Sequence, residues 1–294
     1  MLSMQGDAHI ISGAGATMLI ARAICFVLTL SISGTIAAGD SSFNGLEGHP
    51  GLRSASALVL DAQGNVIYGK DIDTIRPIAS ITKLMTAMVI LDAALDLDKT
   101  ITITHADRDT IKRTGSRLAF GAALSRRELL LLALMSSENR AASALGRTFP
   151  GGVRSLVTAM NQKAGSLGMA STRFADPAGL NANNQSTASD LAKMLAAAEG
   201  YPLITRATTT RKADVRPYSN RGPLTYSNTN RLLKNDKWAI ELSKTGFIRE
   251  AGRCLVMQAN IGGENISIVL LNSFGKLTPY GDSNRLRKWM LAQS

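Results

Sequence analysis

Cysteine is almost missing from this chain: two among 294 residues, Cys25 and Cys254. Cys25 falls in a leader-like stretch, so a processed chain keeps one thiol and no intramolecular disulfide can form. Cys254 sits in a strand-like run and reads as a buried structural thiol. Histidine is equally sparse. His9, His49 and His105 lie far from any Ser/Asp pattern and share no metal-ligand spacing, so neither a metal nor another cofactor is expected. No Walker loop or dinucleotide glycine fingerprint occurs. Aromatics make up 5% and there is no long Lys/Arg run, which argues against nucleic acid as a partner.

What remains is a globular composition, 45% hydrophobic and 19% charged, with length enough for one large core or two small ones. The N-terminus differs from the rest. Arg22 precedes an apolar run from Ala23 to Ile32, followed by Ser33-Gly34-Thr35-Ile36-Ala37-Ala38. A basic residue, a short apolar run and a small-residue site read as a signal peptide over residues 1–38. The run is too short for a comfortable transmembrane span, and Met18 is a second candidate start. Removing residues 1–38 takes out only Arg22 and Asp7, so the net charge stays at +11. An exported basic protein suits an anionic partner such as cell wall, with at most peripheral membrane contact.

Residues 39–53 are rich in Gly and Ser and read as a linker; residues 54–294 read as one domain. Ala55–Leu60 and Val66–Lys70 flank Asp61-Ala62-Gln63-Gly64-Asn65, the pattern of a β-hairpin. Ser125-Arg126-Arg127-Glu128 and Thr187-Ala188-Ser189-Asp190 are capping boxes opening two helices, and Val153–Leu167 is a third. Ile204–Val215, β-branched and basic, reads as an exposed ribbon. Ala239–Ile248, Cys254–Ile261 and Ile266–Asn272 read as strands, with Gly262-Gly263 as a hairpin turn, and Asp282–Ala292 as a closing helix. Strands at both ends with helices between predict an α+β unit, an antiparallel sheet carrying an inserted helical lobe.

Within that frame three short motifs line up. Ser80-Ile81-Thr82-Lys83 opens an apolar helix, so Ser80 and Lys83 share a face one turn apart. Ser-x-x-Lys alone is cheap, and a second copy stands at Ser273-Phe274-Gly275-Lys276. Ser137-Glu138-Asn139 follows a helix, and Lys244-Thr245-Gly246, the one Lys-Thr-Gly in the chain, lies in a late strand. This trio in this order is the set of penicillin-binding proteins and class A β-lactamases. Ser80 is the candidate nucleophile, Lys83 its base and Ser137 a relay to the leaving amine. Asn139 can hold substrate or Lys83, and Thr245 a substrate carboxylate. Gly246 leaves room for substrate along the strand edge. Lys244 is expected to stay charged and hold the pKa of Lys83 down. The backbone N–H groups of Ser80 and Phe247 are the candidate oxyanion hole.

From Ala55 to Trp289 the chain resembles the low-molecular-mass penicillin-binding proteins, the serine-type D-alanyl-D-alanine peptidases. Phe174-Ala175-Asp176-Pro177-Ala178-Gly179-Leu180 and Asn228-Thr229-Asn230-Arg231-Leu232-Leu233 add to the three motifs. The stretches Leu134–Ala142 and Leu242–Gly246 are most similar to the penicillin-binding protein 7 type, a periplasmic D,D-endopeptidase of peptidoglycan cross-links. The resemblance implies a β-lactamase/transpeptidase-like fold, no metal, and acylation by β-lactam antibiotics as inhibitors. It implies a single domain too, since the chain stops soon after Trp289. A D,D-carboxypeptidase releasing terminal D-alanine and a non-hydrolysing penicillin-binding sensor are the alternatives. A class A β-lactamase would need a Glu-x-x-x-Asn loop, and no such pattern follows Asn139.

The leader reading has a direct check. N-terminal sequencing of the exported protein should begin at Gly39; a membrane fraction that retains residues 18–38 would overturn it.

Overall fold

A computed structural model describes residues 41–293, and the signal-peptide assignment lies outside them. Five strands build the main sheet: β1 (Ser56–Leu60), β2 (Val66–Lys70), β3 (Ala239–Ile248), β4 (Gly252–Ile261) and β5 (Glu264–Ser273). Their order is β2-β1-β5-β4-β3, with every pairing antiparallel. The expected hairpins are present, and the first and last thirds of the chain meet where β1 pairs with β5, Leu58 opposite Val269. β3, the strand bearing Lys244-Thr245-Gly246, is an edge of this sheet.

Side chains alternate across a strand, and both faces of this sheet are covered. Leu58, Cys254, Val256, Val269 and Leu271 join a core shared with the helical lobe. Ala57, Val59, Leu255, Met257, Ile268 and Leu270 pack on the other side against Leu286 and Met290 of the closing helix Thr278–Leu291. The lobe comprises α1 (Thr82–Asp92), α2 (Arg126–Met135), α3 (Asn139–Arg147), α4 (Gly152–Ser166), α5 (Ala188–Glu199) and α6 (Pro202–Thr209); the closing helix is α7. α1 is buried from Thr82 to Ile90, as a helix apolar all round must be. It therefore runs through the middle of the domain, and its first turn is fixed from every side. Among the described residues no helix is long and apolar enough to cross a membrane.

The Ser125 capping box closes in both directions, Glu128 N–H to Ser125 Oγ at 3.2 Å and Ser125 N–H to Glu128 Oε2 at 2.8 Å. At Thr187 only half the box forms. Thr187 Oγ1 accepts from the Asp190 N–H at 3.1 Å, but the Asp190 carboxylate turns to Ser171 N–H and Thr172 Oγ1.

Two sequence expectations need correction. Ile204–Val215 is not a ribbon: Pro202–Thr209 is helical, and only Lys212–Val215 is a strand, paired with Leu224–Ser227. Pro202 suits the first helical turn, and Ile204, Ala207 and Thr208 bury one face at helical spacing. The threonines that suggested a strand satisfy their hydroxyls on carbonyls one turn back, Thr209 on Thr205 and Thr210 on Arg206. Nor do the described residues of the 39–53 linker form a free tether. Phe43 is fully buried against the α7 side of the sheet. Ser41 Oγ and Ser42 N–H bond Glu264 at 2.6 and 2.8 Å, and Arg53 and Ser54 N–H groups bond buried Asp282.

Phe43→Ala should therefore cost about 3 kcal/mol of unfolding free energy, the usual loss for truncating a buried phenylalanine. Urea denaturation measures it; an unchanged midpoint would mean that the segment is a tether after all.

Candidate active site

Four pieces of backbone converge on one point. The first is the 3₁₀ turn Ala79–Ile81 leading into α1, which carries Ser80 and, one turn on, Lys83. The second is the α2–α3 connection, where Ser137 sits at φ +60°, a left-handed conformation unusual for a residue with a side chain. Glu138 caps α3 there by accepting from the Arg140 N–H at 3.2 Å, and Asn139 is the first residue of that helix. The third is the exposed edge of β3. Gly246 lies so close to the Ser80 turn that a Cβ would stand 2.8 Å from the Ile78 carbonyl and 3.2 Å from the Ser80 nitrogen. Glycine is what lets the strand, and with it the Phe247 N–H, approach the nucleophile turn.

The fourth piece is the loop at Asp176. Its carboxylate accepts from the N–H groups of Ala178 at 2.6 Å, Gly179 at 2.7 Å and Asn181 at 2.6 Å, and from Asn184 Nδ2 at 2.7 Å. Gly179, at φ +79°, passes so near the Ala79 carbonyl that a Cβ would be 1.9 Å from its oxygen. The loop is thus pinned on the nucleophile turn, with the Ala178 carbonyl aimed inward.

Lys83 Nζ lies 2.8 Å from Ser80 Oγ, 2.8 Å from Asn139 Oδ1 and 2.7 Å from the Ala178 carbonyl. Asn139 Oδ1 and the Ala178 carbonyl only accept, so each takes an N–H of Lys83. A neutral amine then has its lone pair left for Ser80, which is the geometry a general base needs. The orientation of Asn139 is enforced from behind. Its Nδ2 donates to Thr114 Oγ1 at 2.9 Å, and that hydroxyl donates to Asp109 Oδ2 at 2.7 Å. With the Thr114 proton spent on Asp109, only the amide N–H₂ of Asn139 can face Thr114, and the amide oxygen must face Lys83. Burial opposes ionisation of Asp109, but hydrogen bonds from Thr114, Lys112 and Ile111 outweigh it and hold the carboxyl below its usual value.

Lys244 Nζ donates to Ser137 Oγ at 3.0 Å and to the Thr245 carbonyl at 2.9 Å. Thr245 Oγ1 donates to Thr229 Oγ1 at 2.6 Å. Thr229 is anchored in turn, its N–H on the Met135 carbonyl at 3.1 Å and its carbonyl under the Tyr280 hydroxyl at 3.0 Å. The structure thus brings Ser80, Lys83, Ser137, Asn139, Lys244, Thr245, Gly246 and Phe247 to one cleft. Sequence reasoning did not find Thr114, Asp109 or the Ala178 carbonyl as parts of it. Ser273 and Lys276, the second Ser-x-x-Lys, are not paired: Ser273 is buried against Ser54. Cys254 is buried as expected, and burial pushes its thiol up to about 11.

Both lysines are 1% exposed. Burial lowers Lys83 to about 7, partly opposed by Asp176, Glu138 and Asp109, whose charges favour its protonated form. Lys244 falls well below its usual value through burial and then repulsion from Lys83. Both causes act against the charge that the sequence leads one to expect on Lys244. No carboxylate charge offsets its desolvation.

Residues 45–275 match the peptidase S11 family, described as D-alanyl-D-alanine carboxypeptidase. The chain is 44% identical over 268 residues to the D-alanyl-D-alanine endopeptidase of Pseudomonas aeruginosa, covering 91% of this chain and 86% of that one. It is 47% identical over 243 residues to the D-alanyl-D-alanine endopeptidase of Escherichia coli, covering 82% and 78%. The crystal structure of the Streptomyces K15 DD-transpeptidase superposes with a TM-score of 0.78 at 28% identity, over 84% of this chain and all of that one.

A base with its pKa near 7 gives a signed expectation. Acylation of Ser80 should rise with pH through about 7 as Lys83 loses its proton. Lys83→Arg cannot deprotonate in that range and should lose at least about a thousandfold at every pH. Stopped-flow acylation against pH measures both; a normal rate in Lys83→Arg would place the base elsewhere.

Proposed function

The chain belongs to the peptidase S11 family, and from that premise we propose that it is a serine D,D-endopeptidase that opens D-alanyl cross-links in peptidoglycan through an acyl-enzyme on Ser80. The observation that carries this is the Lys83 amine, buried, with its two pure acceptors satisfied and its remaining direction on Ser80 Oγ at 2.8 Å.

In the first half-reaction Ser80 Oγ attacks the D-alanyl carbonyl and its proton passes to Lys83. The oxyanion is held by the N–H groups of Ser80 and Phe247. Collapse breaks the amide C–N bond, and Ser137, whose hydroxyl is 3.0 Å from Lys244 Nζ, relays to the leaving amine the proton that Lys83 took from Ser80, which returns Lys83 to its neutral form. In the second half-reaction water attacks the ester, releasing the D-alanyl peptide and restoring Ser80. The carboxylate next to the scissile amide binds Thr245 and Lys244. Its negative charge favours the protonated form of Lys244, and a charged Lys244 disfavours a proton on Lys83. Substrate binding therefore frees the base.

Penicillins, whose acyl-enzymes on the same serine are slow to hydrolyse, are inhibitors in this reading. The leader-like sequence of residues 1–38 supports a periplasmic location, where such a substrate lies.

Two measurements test the proposal. A labelled penicillin should form a one-to-one adduct on Ser80 and none on folded Ser80→Ala protein. Purified cross-linked muropeptide dimers should be converted to monomers that together gain one water. Release of D-alanine from pentapeptides with dimers left intact would make the enzyme a carboxypeptidase, and adduct formation without turnover would make it a penicillin-binding sensor.

A further inference from the structure

The cleft does not end at Thr245. It encloses about 670 Å³, starting at Ser80 and Ser137 and continuing over the β3 edge toward α7. Its far wall carries Arg231, Lys234, Arg253 and Lys276 and no Asp or Glu. Among the described residues none of these four cations is in an ion pair. Arg231, Lys234 and Lys276 are exposed, while Arg253 lies over the Phe247 ring, 3.9 Å from its centroid. A stacked guanidinium keeps its charge but loses freedom, so it is held ready for an anion.

The position of this basin relative to the scissile bond follows from the site. The acyl carbonyl sits between Ser80 and Phe247, and the leaving amine lies by Ser137 with its neighbouring carboxylate at Thr245. Thr245 is bonded to Thr229. Arg231 follows two residues later, and Lys276 enters the helix whose Tyr280 holds the Thr229 carbonyl. Whatever extends from the leaving amine beyond that carboxylate runs past Thr229 into the cations. A single D-alanine leaving group ends at Thr245 and reaches none of them.

Resting on the endopeptidase reading, we propose that this basin binds the further carboxylates of an acidic leaving peptide and so selects cross-links over terminal D-alanine. Uncompensated like charges along one wall of a cleft concentrate an anionic partner there.

The test uses the triple variant Arg231→Gln/Lys234→Gln/Lys276→Gln, whose sites are exposed. On cross-linked dimers with free carboxylates, kcat/KM should fall about tenfold through KM. Penicillin acylation and pentapeptide trimming should change far less. Amidating only the leaving peptide's further carboxylates, with the one next to the scissile amide left free, should reproduce that loss in the wild type and add nothing in the variant. In a second arm the free leaving-side peptide is titrated by calorimetry into Ser80→Ala protein with and without the triple substitution; Kd should rise about tenfold with it. Equal binding in both proteins, equal binding of free and amidated peptide, or an equal loss on all substrates would overturn the basin. If wild-type protein leaves dimers uncut, the endopeptidase reading fails, and the binding arm still decides whether the basin holds an acidic peptide.

Discussion

Two amines buried in one small site are the constraint on which this structure depends. A buried ammonium is costly unless it is paired or loses its proton, and Lys83 and Lys244 are each almost wholly removed from water. The fold keeps them there by supplying acceptors rather than a contacting carboxylate: Asn139 Oδ1 and the Ala178 carbonyl for Lys83, Ser137 Oγ and the Thr245 carbonyl for Lys244. The acceptors come from three separate parts of the chain, the α2–α3 connection, the Asp176 loop and β3, and must be held in place together. That demand accounts for the central position of α1, the left-handed Ser137 and the saturated Asp176 carboxylate. It also accounts for the two glycines, 179 and 246, at which the loop and the strand touch the nucleophile turn.

Much of this was legible in the sequence, for identifiable reasons. The catalytic motifs are short and local, and each falls on an element whose period is plain: an apolar helix for Ser80, a helix end for Ser137, a strand for Lys244. The sheet was legible because its strands alternate between two cores. What could not be read are relations between distant residues with no periodicity. Thr114 and Asp109 sit in an irregular connector and matter only because Asn139 arrives beside them. A backbone carbonyl such as that of Ala178 has no side-chain signature, although the Asp-Pro-Ala-Gly stretch around it was noticed as a resemblance. α6 was misread because its threonines favour strands until their hydroxyls bond the preceding turn. Phe43 was misread because a single aromatic in a Gly/Ser-rich stretch carries no pattern, and its burial depends on strands more than two hundred residues away.

The charge of Lys244 could not be read from sequence at all, since it depends on what surrounds the amine. Three carboxylates, Asp176, Glu138 and Asp109, favour a proton on Lys83, while burial and Lys83 both act against a proton on Lys244. A negative charge on the Thr245 side, next to Lys244 in the strand, favours a proton on Lys244. The repulsion between the two amines then acts against a proton on Lys83. Under this argument the carboxylate next to the scissile amide does more than anchor substrate. In the proposed reaction it also biases the two buried lysines toward a charged Lys244 and a neutral Lys83. A site with a carboxylate fixed beside Lys244 would have no such dependence, and the absence of acidic residues from the cleft wall is what leaves that position to the substrate.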